Sequence, residues 1–300
     1  MQTRNVRTAS HLTVHTHTTN GRTVSYREYG SGDHSIILIH GVGSQASTWD
    51  TIGRRLADAH FHTIAVNLPG HGLADSGTRG HGCDTTYTLT ELADAISRVI
   101  DHTGTKRATI IGHSLGGGVA LQLLQQAQHQ ISSIVLVSSG GLGKEAGLWL
   151  RLLSLPGASL VLASIGNRAS VATLRHVNVV LTSVGVHAGW LTPDSLSEIS
   201  RVFGSKNARK AFFGTLRNVV NIRGQRRFAT TELVAARHLP LTIIWGEADT
   251  TLPVRHAQHI TRYLAHARIR ILPRTGHDPH LEQPEEFLQY VLTHLQHADR

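Results

Sequence analysis

The residues best placed by type and spacing to do chemistry lie in Gly112-His113-Ser114-Leu115-Gly116. A serine between glycines at this spacing suits a nucleophile raised on a sharp turn from a strand into a helix. Such a turn holds the serine in strained dihedrals, and side chains at the flanking positions would collide with the helix that follows. The neighbouring sequence supplies that context: Ala108–Ile111 reads as a short apolar strand and Leu115–Gln128 as a helix. No lysine follows the glycines, which sets aside a phosphate-binding loop.

A serine nucleophile needs a base, a group to orient that base, and donors for the developing oxyanion. His277 lies in Thr275-Gly276-His277-Asp278, just past the expected strand Arg268–Leu272. Asp249 lies in Trp245-Gly246-Glu247-Ala248-Asp249, just past Leu241–Trp245. Both positions fall at the carboxyl edge of a sheet, where α/β proteins bind ligands, and the order Ser…Asp…His suits this turn type. Glu247 is the competing acid but comes two residues early, and Asp278 points away. Ser138-Ser139-Gly140-Gly141, after the strand ending at Val137, offers no carboxylate. His40-Gly41-Val42-Gly43 follows another strand, where the backbone N–H of Val42 can converge with that of Leu115 as an oxyanion hole; the His40 ring is expected to fix the loop. In this scheme Ser114 attacks, His277 carries the proton, and Asp249 holds the imidazole. No metal or cofactor is called for, and His15-Thr16-His17 reads as strand or surface.

The elements that must position these groups are legible as periodicities. Strands are expected at His11–Thr19 and Arg22–Tyr29 around an Asn20-Gly21 turn, then at Ile36–Ile39, Thr63–Val66, Ala108–Ile111, Ile134–Val137, Leu241–Trp245 and Arg268–Leu272. Continuous apolar runs of this length suit strands buried on both faces of a parallel sheet. Amphipathic spacing places helices at Thr90–His102, Leu115–Gln128, Val254–Ala265 and Pro284–His297. Between Gly141 and His238 the alternation stops, and only helices and loops are expected, the helices at Leu148–Leu155, Ala169–Leu181, Thr192–Phe203 and Ala208–Val220.

With these motifs assembled, and with Asn67-Leu68-Pro69-Gly70-His71-Gly72 among them, the chain resembles the α/β-hydrolase superfamily over roughly residues 20–140 and 238–297. The resemblance implies an eight-stranded, mostly parallel sheet with helices on both faces and a helical lid inserted after strand six. Residues 1–140 and 238–300 would then form the core and 141–237 the lid. One departure is visible: Asn67 stands where the family usually has an acid, at a position that is generally structural. The serine nucleophile argues against epoxide hydrolases and haloalkane dehalogenases, which use aspartate there. Carboxylic-ester hydrolysis is the plain reading. Ring-cleavage C–C hydrolases, which typically carry tryptophan where Asp278 stands, cofactor-free perhydrolases, and a slow-turnover ligand receptor on the same fold remain open.

The lid carries the substrate information. Leu148, Trp149, Leu150, Leu152, Leu153 and Leu155 crowd one segment, and Trp149, Leu152 and Leu153 are the expected lining of a hydrophobic acyl pocket. The partner is therefore expected to be a small-molecule ester. The charge needs a location before it means anything. The chain has 29 Lys+Arg against 20 Asp+Glu. Thirteen of the basic and four of the acidic residues lie in 141–237, so the lid holds the whole excess. That distribution, without interleaved aromatics, argues against nucleic acid. It suits a solvated lid face or transient contact with an anionic lipid surface. The N-terminus lacks the apolar run of a secretory signal and no window reads as a membrane span, so the expectation is a soluble, cytoplasmic protein. The single cysteine, Cys83, excludes an intramolecular disulfide.

Overall fold

The apolar runs become the strands of one sheet. The computed structural model describes residues 6–8, 12–19, 22–71, 86–160 and 205–298. Its strands are β1 (Val6–Thr8), β2 (Leu12–Thr19), β3 (Arg22–Tyr29), β4 (Ser35–Ile39), β5 (His62–Asn67), β6 (Ala108–His113) and β7 (Ile131–Val137). A small antiparallel ladder, β8 (Val220–Asn221) with β9 (Gly224–Gln225), precedes β10 (Leu241–Gly246) and β11 (Arg268–Leu272). The sheet order is β1-β2-β3-β5-β4-β6-β7-β10-β11. From β5 to β11 every pairing is parallel, while β1, β2 and β3 pair antiparallel. The eight expected strands are all present, and three-residue β1 adds a ninth at the edge.

Both faces of the central strands β4, β6, β7 and β10 are buried, as the apolar runs require. Along β4, Ile37 and Ile39 join one hydrophobic cluster and Ile36 and Leu38 the other. The same alternation divides Ile134 and Leu136 from Val135 and Val137 on β7. Helices α1 (Asp50–Asp58), α2 (Leu89–His102) and α3 (Leu115–Ala127) follow strands of the sheet's first half. Leu92, Ala95, Ile96, Val99 and Ile100 form the buried stripe of α2, and Thr88 caps it by accepting the Glu91 N–H.

Helix α1 went unpredicted. Gly53 at its centre breaks the helical pattern, yet Ile52 and Leu56 are fully packed on one face. The glycine is there for the ring of Tyr29: a Cβ at position 53 would come within 2.8 Å of it.

After β7 the chain leaves the sheet. The described parts of that insertion contain α4 (Leu148–Leu153), α5 (Lys206–Val219), the β8–β9 ladder and α6 (Thr230–Ala235). The expected helices Ala169–Leu181 and Thr192–Phe203 lie outside the described residues, as does the Asn20-Gly21 turn. The single helix expected over Val254–Ala265 is instead a short α7 (Arg255–His259) running into a 3₁₀ turn at Ile260–Arg262. The β-branched pair Ile260-Thr261 disfavours continued α-helix there. The chain ends in α8 (Pro279–Glu282) and α9 (Pro284–Ala298). Among the described residues no helix is long and apolar enough to cross a membrane.

Candidate active site

Ser114 sits between the end of β6 and the start of α3, at φ 52° and ψ −113°. Positive φ in a non-glycine residue costs about 1–3 kcal/mol and persists only where the surroundings impose it. They do so here. The Ser114 N–H donates to the Val137 carbonyl at 2.9 Å, and its own carbonyl accepts from Gly117 at 3.1 Å and Gly140 at 2.8 Å. The flanking glycines leave room for the turn: a Cβ on Gly112 would lie 2.3 Å from the Gly116 carbonyl oxygen, and one on Gly116 2.3 Å from that of Ile39. Because those obstacles are backbone, Gly116→Ala is expected to cost about 3 kcal/mol, measurable as a lowered denaturation midpoint.

The parallel register of β6, β7, β10 and β11 brings the other two residues to the same edge. His277 Nε2 lies 3.0 Å from Ser114 Oγ, and His277 Nδ1 lies 2.8 Å from Asp249 Oδ2. The second carboxylate oxygen of Asp249 accepts the N–H groups of Thr251 at 2.8 Å and Leu252 at 2.9 Å. Both oxygens are thus engaged, which fixes the carboxylate and through it the imidazole. Burial alone pushes the His277 pKa down, but the charge and hydrogen bond of Asp249 outweigh it and the net shift is upward. Glu247 lies outside this chain of bonds and accepts the Arg274 N–H.

Two supports of His277 were not anticipated. Glu282 brackets the histidine by accepting the Gly276 N–H at 2.7 Å and the Asp278 N–H at 3.0 Å. His113, the residue before the nucleophile, places Nε2 2.9 Å from the His277 carbonyl and donates to it. Sequence spacing gave no signal for either, because both contacts depend on the tertiary turn after β11. Burial holds the pKa of His113 low, and that of His280 lower still, with charge on His113 and His277 adding to the effect on His280. Burial therefore favours the uncharged form of both rings behind the His277 imidazole.

The loop after β4 lies directly against the serine: a Cβ on Gly41 would come within 3.3 Å of Ser114 Cβ. Fully buried His40 fixes it, donating from Nδ1 to the Gly41 carbonyl at 2.7 Å and accepting the Leu68 N–H on Nε2 at 3.1 Å. Asn67, at the family's usual acid position, accepts the Ala46 N–H at 2.7 Å and donates to Ser25 Oγ at 2.9 Å. An amide fills that structural role with one acceptor and one donor. Leu115 occupies the first position of α3, where backbone N–H groups have no partner within the helix.

A cavity of about 240 Å³ opens on Ser114, and both Val42 and Leu115 line it. Its walls are mainly apolar, with Leu89, Leu121, Leu150 and Leu252 among them. Here the expected pocket residues need correction. Trp149 and Leu152 are 47% and 49% exposed and do not line the cavity; Leu153 packs against the core, and Leu150 is the α4 residue that faces the cavity. A helix advances 100° per residue, so Trp149 and Leu152 are turned away once Leu150 points in. Among the described residues, His113, Asp278 and His280 form the group whose ligand atoms lie close enough for a metal, within 4.8 Å of one another. The Nε2 of His113 is also bonded to the His277 carbonyl.

Residues 36–290 match the model of the alpha/beta hydrolase family. The chain belongs to that family. It is 32% identical to an uncharacterised protein of Mycobacterium tuberculosis over 96% of this chain and 82% of the relative. It is also 24% identical to a 2-hydroxy-6-oxononadienedioate/2-hydroxy-6-oxononatrienedioate hydrolase of Burkholderia vietnamiensis, over 91% of this chain and 90% of that one. Among solved structures it is similar to a bacterial membrane phospholipase A, with TM-score 0.73 at 21% identity, covering 97% of this chain and 87% of the other. For this alpha/beta hydrolase, the last likeness speaks for the fold alone.

Proposed function

We propose that this hydrolase cleaves a carboxylic ester of a largely hydrophobic substrate through an acyl-enzyme on Ser114. The observation that carries the reading is the Ser114–His277–Asp249 chain of hydrogen bonds opening into an apolar cavity. The ester carbonyl sits against Ser114, with the N–H groups of Val42 and Leu115 receiving the oxyanion. His277 takes the Ser114 proton and returns it to the leaving alcohol, and Asp249 stabilises the imidazolium formed between those steps. Water, activated by the same histidine, then releases the acid. Residues 141–237 act as the lid, and Leu150, Leu216 and Val219 give the pocket its apolar wall.

A second reading is C–C bond hydrolysis, favoured by the similarity to the Burkholderia vietnamiensis hydrolase. Asp278 weighs against it, standing directly after the catalytic histidine with its carboxylate 3.5 Å from His113 Nε2. One experiment separates the two: a panel of p-nitrophenyl esters of graded acyl length beside a vinylogous 1,5-diketone. The expected result is repeated turnover of the esters, a mass increment of the acyl group on the Ser114 peptide after rapid quenching, and no cleavage of the diketone. Turnover of the diketone with inert esters would overturn the ester reading, and a single stoichiometric turnover would make the protein a receptor.

A further inference from the structure

The cavity that opens on Ser114 has mainly apolar walls, but charged side chains are set into them. Among its described lining residues, Arg227 and Glu232 are the charged ones. Glu232 is only 3% exposed, and its Oε1 forms an ion pair with Nη2 of the half-exposed Arg227 at 2.5 Å. Arg227 Nη1 donates to Gln122 Oε1 at 2.9 Å, which pins the guanidinium to α3. Ser114 caps the start of the same helix and Gln122 lies eight residues on. At 1.5 Å per residue this is about 12 Å, the reach of roughly ten extended chain atoms, two of which are Cβ and Oγ of Ser114 itself.

A buried carboxylate costs free energy that its partner only offsets, and an apolar pair at the same place would seal an acyl pocket more cheaply. The pair also has unused capacity. Arg227 makes one hydrogen bond and one ion-pair contact with a guanidinium that carries five N–H groups, and among the described residues Glu232 Oε2 accepts no hydrogen bond. Donor and acceptor therefore stand side by side in the wall of a mainly apolar cavity. A hydroxyl satisfies both, donating to Glu232 and accepting from Arg227. A carboxylate does not, because it would add an uncompensated negative charge beside Glu232.

We infer that Arg227 and Glu232 form a hydroxyl-reading subsite, so that the preferred ester carries a terminal hydroxyl roughly eight atoms from its carbonyl. The inference rests on the ester reading for its reaction, but its binding half can be tested apart from turnover.

The experiment compares kcat/KM for 4-nitrophenyl octanoate, 4-nitrophenyl 8-hydroxyoctanoate and mono-4-nitrophenyl suberate. Wild type is expected to prefer the hydroxy ester over octanoate by about tenfold and to disfavour the suberate. In Arg227→Met and in Glu232→Gln the hydroxy-to-octanoyl ratio is expected to fall to near one. A pair that merely braces the lid would lower both esters together and leave the ratio alone. A wild-type ratio of one or less, an unchanged ratio in both variants, or a preference for suberate would each overturn the proposal. In parallel, calorimetry on Ser114→Ala compares 1,8-octanediol with 1-octanol, and the diol is expected to bind about tenfold tighter. Should wild type hydrolyse no ester, the serine-esterase reading fails while the diol comparison still decides the subsite. Equal binding of the two alcohols would overturn the subsite by itself.

Discussion

Ser114→Ala is expected to lower kcat for a p-nitrophenyl ester by about 10⁵- to 10⁶-fold. The residue contributes one oxygen, but that oxygen is the group through which the other two act. With Oγ removed, His277 Nε2 loses the partner it holds at 3.0 Å, and the Asp249–His277 pair has no proton to accept. His277→Ala is expected to cost nearly as much, and the double variant little more than either, because the three residues work as a unit. The oxyanion donors and the cavity remain, so a residual acceleration over water of about 10³–10⁴ is expected in every case. The fold should survive: alanine has the same Cβ, and the backbone bonds that force φ to 52° do not involve the hydroxyl. Steady-state kinetics with a far-UV spectrum checks both parts, and retention of more than a few per cent of activity in a folded Ser114→Ala would remove Ser114 from the mechanism.

The strands and the three central residues were readable for one shared reason. A strand buried on both faces is mainly apolar, so β4, β6, β7 and β10 announce themselves as apolar runs broken by no more than a Thr or a Ser pair. The ends of those runs then mark the sheet edge, where Ser114, Asp249 and His277 all fall. Local pattern failed wherever a tertiary contact made the decision. Gly53 hides α1 because its purpose is the ring of Tyr29, which belongs to a strand more than twenty positions earlier. His113 and Glu282 look like ordinary residues until the chain after β11 folds back onto them.

The insertion shows a different limit. Leu148, Trp149, Leu150, Leu152 and Leu153 are all apolar, so the pattern has no phase and cannot say which of them faces the cavity. Only packing singles out Leu150. The basic excess behaves similarly. Lys144, Arg223 and Arg226 are exposed, as expected of a solvated lid face. Arg227, next in sequence to Arg226, is exposed as well, yet it also pairs with buried Glu232 in the cavity wall. Composition counts the four alike, and position separates them.

Asp249→Asn is expected to lower the plateau of kcat/KM by about 10⁴-fold while moving its acid limb to lower pH. His277 must be neutral to accept the Ser114 proton, so wild-type activity should rise with pH through a pKa lifted above the ordinary histidine value. Burial opposes that lift and the Asp249 carboxylate causes it, aided by the charges of Asp278 and Glu282. With the carboxylate neutralised, burial dominates, and the imidazole should lose its proton at lower pH. The variant therefore gains neutral histidine where wild type has little, yet it is far slower. An amide can offer its NH₂ to Nδ1 and select the wrong tautomer, and no charge remains to stabilise the imidazolium of the transition state. Stability moves in the opposite sense to activity. A raised pKa in the folded state means the Asp249–His277 pair contributes fully below pH 6.5 and loses that contribution as pH climbs through the folded value. Wild type should thus draw most stability from the pair on the acid side, where it is least active, and Asp249→Asn should abolish that difference. Paired pH profiles of kcat/KM and of the denaturation midpoint test both. An unchanged acid limb in the variant would mean that Asp249 does not set the protonation of His277.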